Sequence, residues 1–262
     1  MSAIIIDSGI IHYEAIGRGR PLIFLHGWLG SWRYWMPTME SLSDRYRTYA
    51  FDLWGFGDSD RDVGRYDLES YVTLLEQFMD QLGLMKAALV GHSLGAAVAL
   101  LSAARMADRI DRVMAVSAPL AGSAVSKRLT ASGNNSLFDR LLGRRGAEYS
   151  EVELEVHKTD PLAIANSARS LLTLELRQRF EHLHMPLLLV NGSNDPFISP
   201  LQPDDLRGVD DNVRPIGLNE SGHFPMLDEA SKFQRLLRDF LETKPADLGA
   251  LALKEEWRRR MH

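Results

Sequence analysis

Ala87-Ala88-Leu89-Val90-Gly91-His92-Ser93-Leu94-Gly95-Ala96-Ala97-Val98-Ala99-Leu100 is the stretch that decides the fold. A short apolar run meets Gly-x-Ser-x-Gly, and a helix-like segment rich in alanine and leucine opens directly behind it. In a chain of this length the five-residue match alone arises by chance in about one case in ten. Its position between a buried strand and a helix is what gives it meaning, because that is the context in which such a turn presents a serine. A turn this tight strains the serine backbone, and glycines two residues before and two after let strand and helix approach without Cβ clashes.

Outward from this turn the same alternation recurs. Leu22 to Leu25, Thr48 to Phe51, Ala87 to Val90, Val113 to Val116 and Leu187 to Val190 are short, unalternating apolar runs, the pattern of strands buried on both faces. Helix-like segments lie between or after them: Leu68 to Leu82 with Asp67 as N-cap, Leu94 to Ala107, and Asp228 to Glu242. The expected class is therefore α/β, with a mostly parallel sheet. Ala3 to Ile6 and Ile10 to Ile16, separated by Asp7, Ser8 and Gly9, predict an antiparallel hairpin at its leading edge.

From Leu120 to His184 the alternation stops and the chain becomes helix-like, with Asp160-Pro161 as a cap and first turn. Residues 120–184 are thus expected to form a helical cap or lid over the ends of the sheet, and residues 1–119 and 185–262 to form the core. Leu137, Phe138, Leu141 and Leu172 are expected to supply its apolar lining. The tail, with Arg258, Arg259 and Arg260, reads as a solvated helix end.

The 262 residues are enough for one large core, and 45% apolar with 25% charged is the composition of a folded globular protein. A net charge of −5 gives no electrostatic reason to bind nucleic acid or an anionic membrane surface. A small molecule is the expected partner. The absence of cysteine excludes thiolate nucleophiles, disulfides and Cys-based zinc sites. Met1 to Ile11 lacks the pattern of a signal peptide, and Gly95 to Ala104 is too short to span a bilayer, so a cytoplasmic location is expected. No feature of the chain sets an oligomeric state.

A serine is a poor nucleophile unless a base takes its proton and a third group fixes that base. Among eight histidines, His223 stands in a loop after the strand-like Arg214 to Leu218 and before the last helix, and is the expected base. His12 lies within a strand-like run, and His157, His182 and His184 lie in or beside the cap. His182-x-His184 has too few donors to read as a metal site, and neither metal nor cofactor is called for. His92, adjacent to Ser93, should point away from it.

Asp195 follows the buried run Leu187 to Val190, where open α/β sheets place ligands and reactive groups, and is the expected acid. Asp204 and Asp205 compete with it but read as loop or helix-start residues; Ser117-Ala118-Pro119 offers no carboxylate. Two N–H donors are needed for a developing oxyanion. The backbone of Leu94 is one, and that of Trp28, in the loop His26-Gly27-Trp28 after the first parallel strand, is the other. The His26 side chain reads as a buried structural group. Trp28, Phe197 and Met226 are expected as apolar walls for substrate, and Trp35 as core.

His26-Gly27-Trp28, Asp52-Leu53-Trp54-Gly55-Phe56-Gly57-Asp58-Ser59, Gly91-His92-Ser93-Leu94-Gly95, Asp195 and Gly222-His223 together, in this order, resemble the α/β-hydrolase family over nearly the whole chain. The resemblance implies an eight-stranded, mostly parallel sheet with helices on both faces and a helical cap between the sixth and seventh strands. It implies a structural, turn-shaping role for the Asp52 segment. Serine at the nucleophile position argues against the similar dehalogenase and epoxide hydrolase branches, which attack with aspartate. A carboxylic ester hydrolase working through an acyl-enzyme is the expectation. Small methyl esters are included, like the pimeloyl-carrier esters hydrolysed by related proteins with a His-Gly-Trp loop. The same three residues also serve thioesterases, carbon–carbon bond hydrolases and cofactor-free peroxidases. A ligand-binding receptor retaining the fold is the non-enzymatic alternative, against which the intact triad and oxyanion loop argue.

Overall fold

The computed structural model describes residues 2–126, 149–176, 183–199 and 211–253. Eight strands form one sheet in the order β1-β2-β4-β3-β5-β6-β7-β8. They are β1 Ser2–Ile6, β2 Gly9–Gly17, β3 Arg20–Leu25, β4 Tyr46–Phe51, β5 Ala87–His92, β6 Ile110–Val116, β7 Leu187–Gly192 and β8 Val213–Leu218. The first two pairings, β1 with β2 and β2 with β4, are antiparallel; all the others are parallel. In the hairpin, Ile6 pairs with Gly9 across Asp7 and Ser8, both at positive φ. That two-residue turn matches the right-handed twist of the strands it joins.

The central strands read as apolar runs because both of their faces are covered: every residue of β5 is buried, as are Leu22 to Leu25 of β3 and Leu187 to Val190 of β7. The helices that cover them carry apolar stripes at helical spacing. Helix α1, Met36–Leu42, buries Met39 and Leu42; helix α2, Leu68–Gln81, buries Tyr71, Leu74, Leu75 and Phe78, and Asp67 caps it by accepting from the Ser70 N–H at 2.8 Å. Helix α3, Leu94–Arg105, is buried almost throughout, and its small residues let it lie close under the sheet. A Cβ on Gly95 would stand 2.3 Å from the Leu25 carbonyl oxygen, so only glycine permits that approach.

Between β6 and β7 the described chain forms a short 3-10 turn at Gly122–Ala124 and the helices α4 Ser150–Val156 and α5 Pro161–Leu172. Asp160 caps α5 from the position expected, accepting from the Leu162 N–H at 2.9 Å. Leu137, Phe138, Leu141 and His182 lie outside the described residues, as do Asp204, Asp205 and the tail arginines. Leu172, at the end of α5, is exposed.

The helix expected over Asp228 to Glu242 forms from Ala230 onward. A short turn of helix, α6 Pro225–Asp228, breaks at Glu229 and is followed by α7 Ala230–Glu242. The break has an electrostatic cause: the Asp228 carboxylate accepts from the Gly222 N–H at 2.8 Å, and Glu229 accepts from the Ser221 hydroxyl at 2.6 Å. Both side chains turn back to cap the preceding loop rather than face solvent along a continuous helix.

Candidate active site

Strand β5 ends at His92, and Ser93 makes the turn into α3 at φ +52° and ψ −113°. Few non-glycine residues hold such a backbone, and this one is held because its neighbours leave no alternative. The Ser93 N–H donates to the Val116 carbonyl at 2.8 Å, and a Cβ on Gly91 would fall 2.3 Å from the Gly95 carbonyl oxygen. Leu94 opens α3, where a helix has no carbonyl of its own to offer the N–H.

Ser93, His223 and Asp195, more than 100 residues apart at the extremes, come together at the carboxyl end of the sheet. The Ser93 hydroxyl lies 3.2 Å from His223 Nε2, and His223 Nδ1 lies 2.8 Å from Asp195 Oδ2. A carboxylate can only accept, so Nδ1 carries the proton and Nε2 is free to accept from the serine. The other Asp195 oxygen accepts from the Phe197 and Ile198 N–H groups at 2.8 and 3.1 Å. Burial opposes the charge on Asp195, yet His223 and these two donors hold its carboxyl below the usual carboxylate range. Ser93 and His223 are both buried, each about 6% exposed.

The loop after β3 packs against this turn. A Cβ on Gly27 would stand 2.9 Å from the Ser93 Cβ, so the loop has no room for a side chain there. His26 Nε2 accepts from the Leu53 N–H at 3.0 Å, which leaves Nδ1–H to donate to the Gly27 carbonyl at 2.9 Å. Burial lowers the His26 pKa, in keeping with this neutral, single-tautomer role. The Gly30 N–H donates to the same Gly27 carbonyl at 3.1 Å. With that oxygen occupied on one side, the trans peptide directs the Trp28 N–H to the other.

His92 does point away from Ser93, into a buried chain that sequence reasoning did not find. Its Nε2 lies 2.8 Å from the His223 carbonyl oxygen and its Nδ1 3.1 Å from the Tyr34 hydroxyl. The carbonyl requires a donor, so Nε2 carries the proton and Nδ1 accepts from Tyr34. Tyr34 in turn accepts from the Gly27 N–H at 2.7 Å. Burial and the neighbouring His223 push His92 well below the usual histidine range, and burial pushes the Tyr34 phenol well above its own. Ser117, at φ +48°, adds a second donor to the His223 carbonyl at 3.2 Å. The backbone of His223 is thereby tied to the loop that carries Trp28.

Of the residues expected as apolar walls, Phe197 sets its ring edge-on to His223 at 5.4 Å, while Met226 is buried in α6. The Trp28 ring is 5% exposed, and its indole N–H donates to Ser167 of α5 at 2.9 Å. Trp35 is fully buried, and Trp32 is half-buried beneath Arg33. Asp52 is buried and shapes its turn directly, accepting from the N–H groups of Trp32 and Asp58 at 2.9 Å each. His12, Asp52 and Asp58 have ligand-type atoms within 4.8 Å of one another, the one such group among the described residues. Within this group His12 Nδ1 meets Asp52 at 3.2 Å, and Asp58 pairs with Lys158 at 2.8 Å.

Residues 20–153 match the family model for the alpha/beta hydrolase fold. The chain belongs to the α/β-hydrolase fold family. Pimeloyl-[acyl-carrier protein] methyl ester esterase from Aliivibrio fischeri is 24% identical over 255 residues, which cover 88% of this chain and 97% of that one. A soluble epoxide hydrolase from Corynebacterium sp. (strain C12) is 33% identical over 103 residues. That alignment covers 39% of this chain and spans about a third (36%) of that hydrolase's length. Among solved structures, an enol-lactonase from Burkholderia xenovorans LB400 superposes with a TM-score of 0.81 at 22% identity, covering 92% of this chain and all of that one. A meta-cleavage product hydrolase from Pseudomonas fluorescens IP01 gives 0.76 at 22% identity, with 92% and 97% covered. The eight-stranded, mostly parallel sheet with its flanking helices is the fold they share. Among the described residues no helix is long and apolar enough to cross a membrane.

Proposed function

We propose that this α/β-hydrolase fold protein is a serine hydrolase that cleaves a carboxylic ester, or a closely related acyl bond, of a small molecule through an acyl-enzyme. The observation that carries the reading is the hydrogen-bonded series from the Ser93 hydroxyl through His223 to Asp195, built on a serine in a strained strand-to-helix turn. In this reading Ser93 Oγ attacks the carbonyl carbon while His223 Nε2 takes its proton. Asp195 keeps the imidazole in the required tautomer and stabilises its cation. The N–H groups of Trp28 and Leu94 receive the oxyanion. His223 then gives its proton to the leaving alcohol, and a water molecule activated by the same nitrogen releases the acid.

The excursion between β6 and β7 acts as the cap, with Phe197, Met226 and the Trp28 ring as apolar walls near the acyl group, and the site of action is cytoplasmic. The substrate preference rests on the esterase relative, which the chain matches over nearly its full length. Serine at position 93 separates this chemistry from the aspartate attack of epoxide-opening relatives.

The test has two arms. A fluorophosphonate probe should label wild-type protein at Ser93 and leave Ser93→Ala unlabelled, and p-nitrophenyl esters should be hydrolysed only by the former. Asp195→Asn should lower kcat by about 10³–10⁴-fold, because the imidazole loses its charge partner and adopts the wrong tautomer. Labelling without ester turnover would move the reading to thioester or carbon–carbon bond cleavage on the same residues. Absence of labelling would leave a ligand-binding protein.

A further inference from the structure

We infer that Ser167, on helix α5 of the cap, is a positioning residue for the oxyanion hole, acting through the indole of Trp28. The inference rests on the reading above, in which the Trp28 N–H is an oxyanion donor.

Trp28 faces two ways. Its backbone sits in the loop packed on Ser93, while its side chain leaves that loop and reaches α5, where Nε1–H donates to Ser167 Oγ at 2.9 Å. Both residues are buried, Ser167 completely. The Ser167 hydroxyl proton is already committed, to the Ala163 carbonyl one turn earlier at 2.6 Å. With its proton directed at the carbonyls of its own helix, Ala163 at 2.6 Å and Ile164 at 3.3 Å, the hydroxyl keeps a lone pair for the indole N–H.

The loop needs such a restraint. Leu29, next to Trp28, is held at φ +58°, a conformation that costs a branched residue about 1–3 kcal/mol unless its surroundings impose it. The Gly27 carbonyl and N–H are held by the core, as described, but the Trp28 side chain is held by the cap. The cap can transmit a position because α5 is anchored independently of Trp28. The Asp160 N–H donates to the Gly55 carbonyl at 2.8 Å, and the Asp160 carboxylate accepts from Tyr66 at 2.8 Å. Elsewhere in the cap, Tyr149 donates to Asp228, whose other oxygen holds the Gly222 N–H beside His223. Losing the Ser167 hydroxyl therefore leaves these anchors of the cap in place while it removes the partner of the Trp28 indole, together with the hydroxyl's own bond to the Ala163 carbonyl.

An oxyanion donor acts on the transition state and not on the bound ester, so its displacement lowers kcat and leaves KM alone. Acetate, butyrate and octanoate p-nitrophenyl esters should be measured with wild type, Ser167→Ala, Trp28→Phe and the double variant, alongside melting temperature. Ser167→Ala is expected to lower kcat about tenfold for all three esters with KM within about twofold, less than deletion of a donor outright. Trp28→Phe should lose a similar factor, and the double variant should be no worse than either single one, because both remove the same bond.

Wild-type kcat in Ser167→Ala overturns the inference, as does a loss confined to the octanoate ester with raised KM, which is the mark of a pocket wall. Multiplicative losses in the double variant overturn it too. Should Ser167→Ala fail to fold, Trp28→Phe alone decides, since it breaks the bond from the other side: unchanged kcat overturns. A wild-type protein that neither turns over esters nor is labelled at Ser93 overturns the function itself, whereas wild-type turnover with an unaffected Ser167→Ala overturns this inference alone.

Discussion

Tyr34→Phe isolates the buried chain that joins the Trp28 loop to His223. The ring is retained, so its contacts with Trp35, His92 and Phe224 and its apolar area are unchanged to first order. What disappears is one oxygen that serves two partners, the Gly27 N–H at 2.7 Å and His92 Nδ1 at 3.1 Å. Both are buried, and the space of one hydroxyl is too small to admit water in its place. An unsatisfied buried polar group costs about 1–3 kcal/mol, so two of them, less the saved burial of the phenol itself, amount to about 2–4 kcal/mol.

In a chain this long each kcal/mol moves the melting temperature by roughly 2–3 °C, which gives an expected fall of roughly 5–10 °C. Tyr71→Phe supplies the comparison, since that buried hydroxyl makes a single bond, to the Trp54 carbonyl at 3.2 Å. Its loss should cost about 1 kcal/mol. Differential scanning calorimetry of the two variants, with amide exchange at Gly27 as a local readout, separates a cost at this chain from a general cost of removing a phenol. A Tyr34→Phe melting temperature equal to that of Tyr71→Phe would refute the argument that the hydroxyl satisfies both partners.

Stability should also depend on pH in a window set by histidines rather than carboxylates. His26 and His92 are buried with pKa values below their ordinary 6.5. As pH falls below 6.5 the unfolded chain takes up protons that the native one refuses, and each group removes up to about 1.4 kcal/mol of stability per pH unit. His12 has the opposite sign: its raised pKa adds stability that is fully present below 6.5 and lost as pH rises through its native value. Asp195 is depressed from 3.8, so its contribution is lost only at still lower pH. A melting temperature that is flat between pH 6.5 and 5 would contradict this account. Gly95→Ala should cost about 3 kcal/mol or more in urea unfolding, because the new methyl group meets the Leu25 and His26 carbonyl oxygens at 2.3 and 2.6 Å and neither backbone can yield. Gly249→Ala, with no atom within 4 Å, should be neutral.

The sheet was legible because burial on both faces of a parallel strand forces an apolar run, and a run of four or more residues survives any uncertainty about its ends. Ser93 and Asp195 were legible for a related reason, since each stands beyond such a run, whereas His223 follows the edge strand β8, where only Leu218 is buried, and was legible from its loop before the last helix. Tyr34, His92 and Ser167 had no such marker. Tyr34 lies between tryptophans and reads as core, which it is; only its hydroxyl distinguishes it, and that hydroxyl's partners are 7 and 58 residues away. Ser167 reads as an ordinary polar position on a helix, and its partner Trp28 is 139 residues distant. The last helix was legible from its apolar spacing, but the break at Glu229 was not, since nothing local reveals that the Asp228 and Glu229 carboxylates turn back to Gly222 and Ser221. Periodicity reports which face of an element is buried, whereas a hydrogen bond between loops has no period. The groups that hold His223 and Trp28 in place are of the second kind, so the precision of this site rests on residues that only the folded chain brings together.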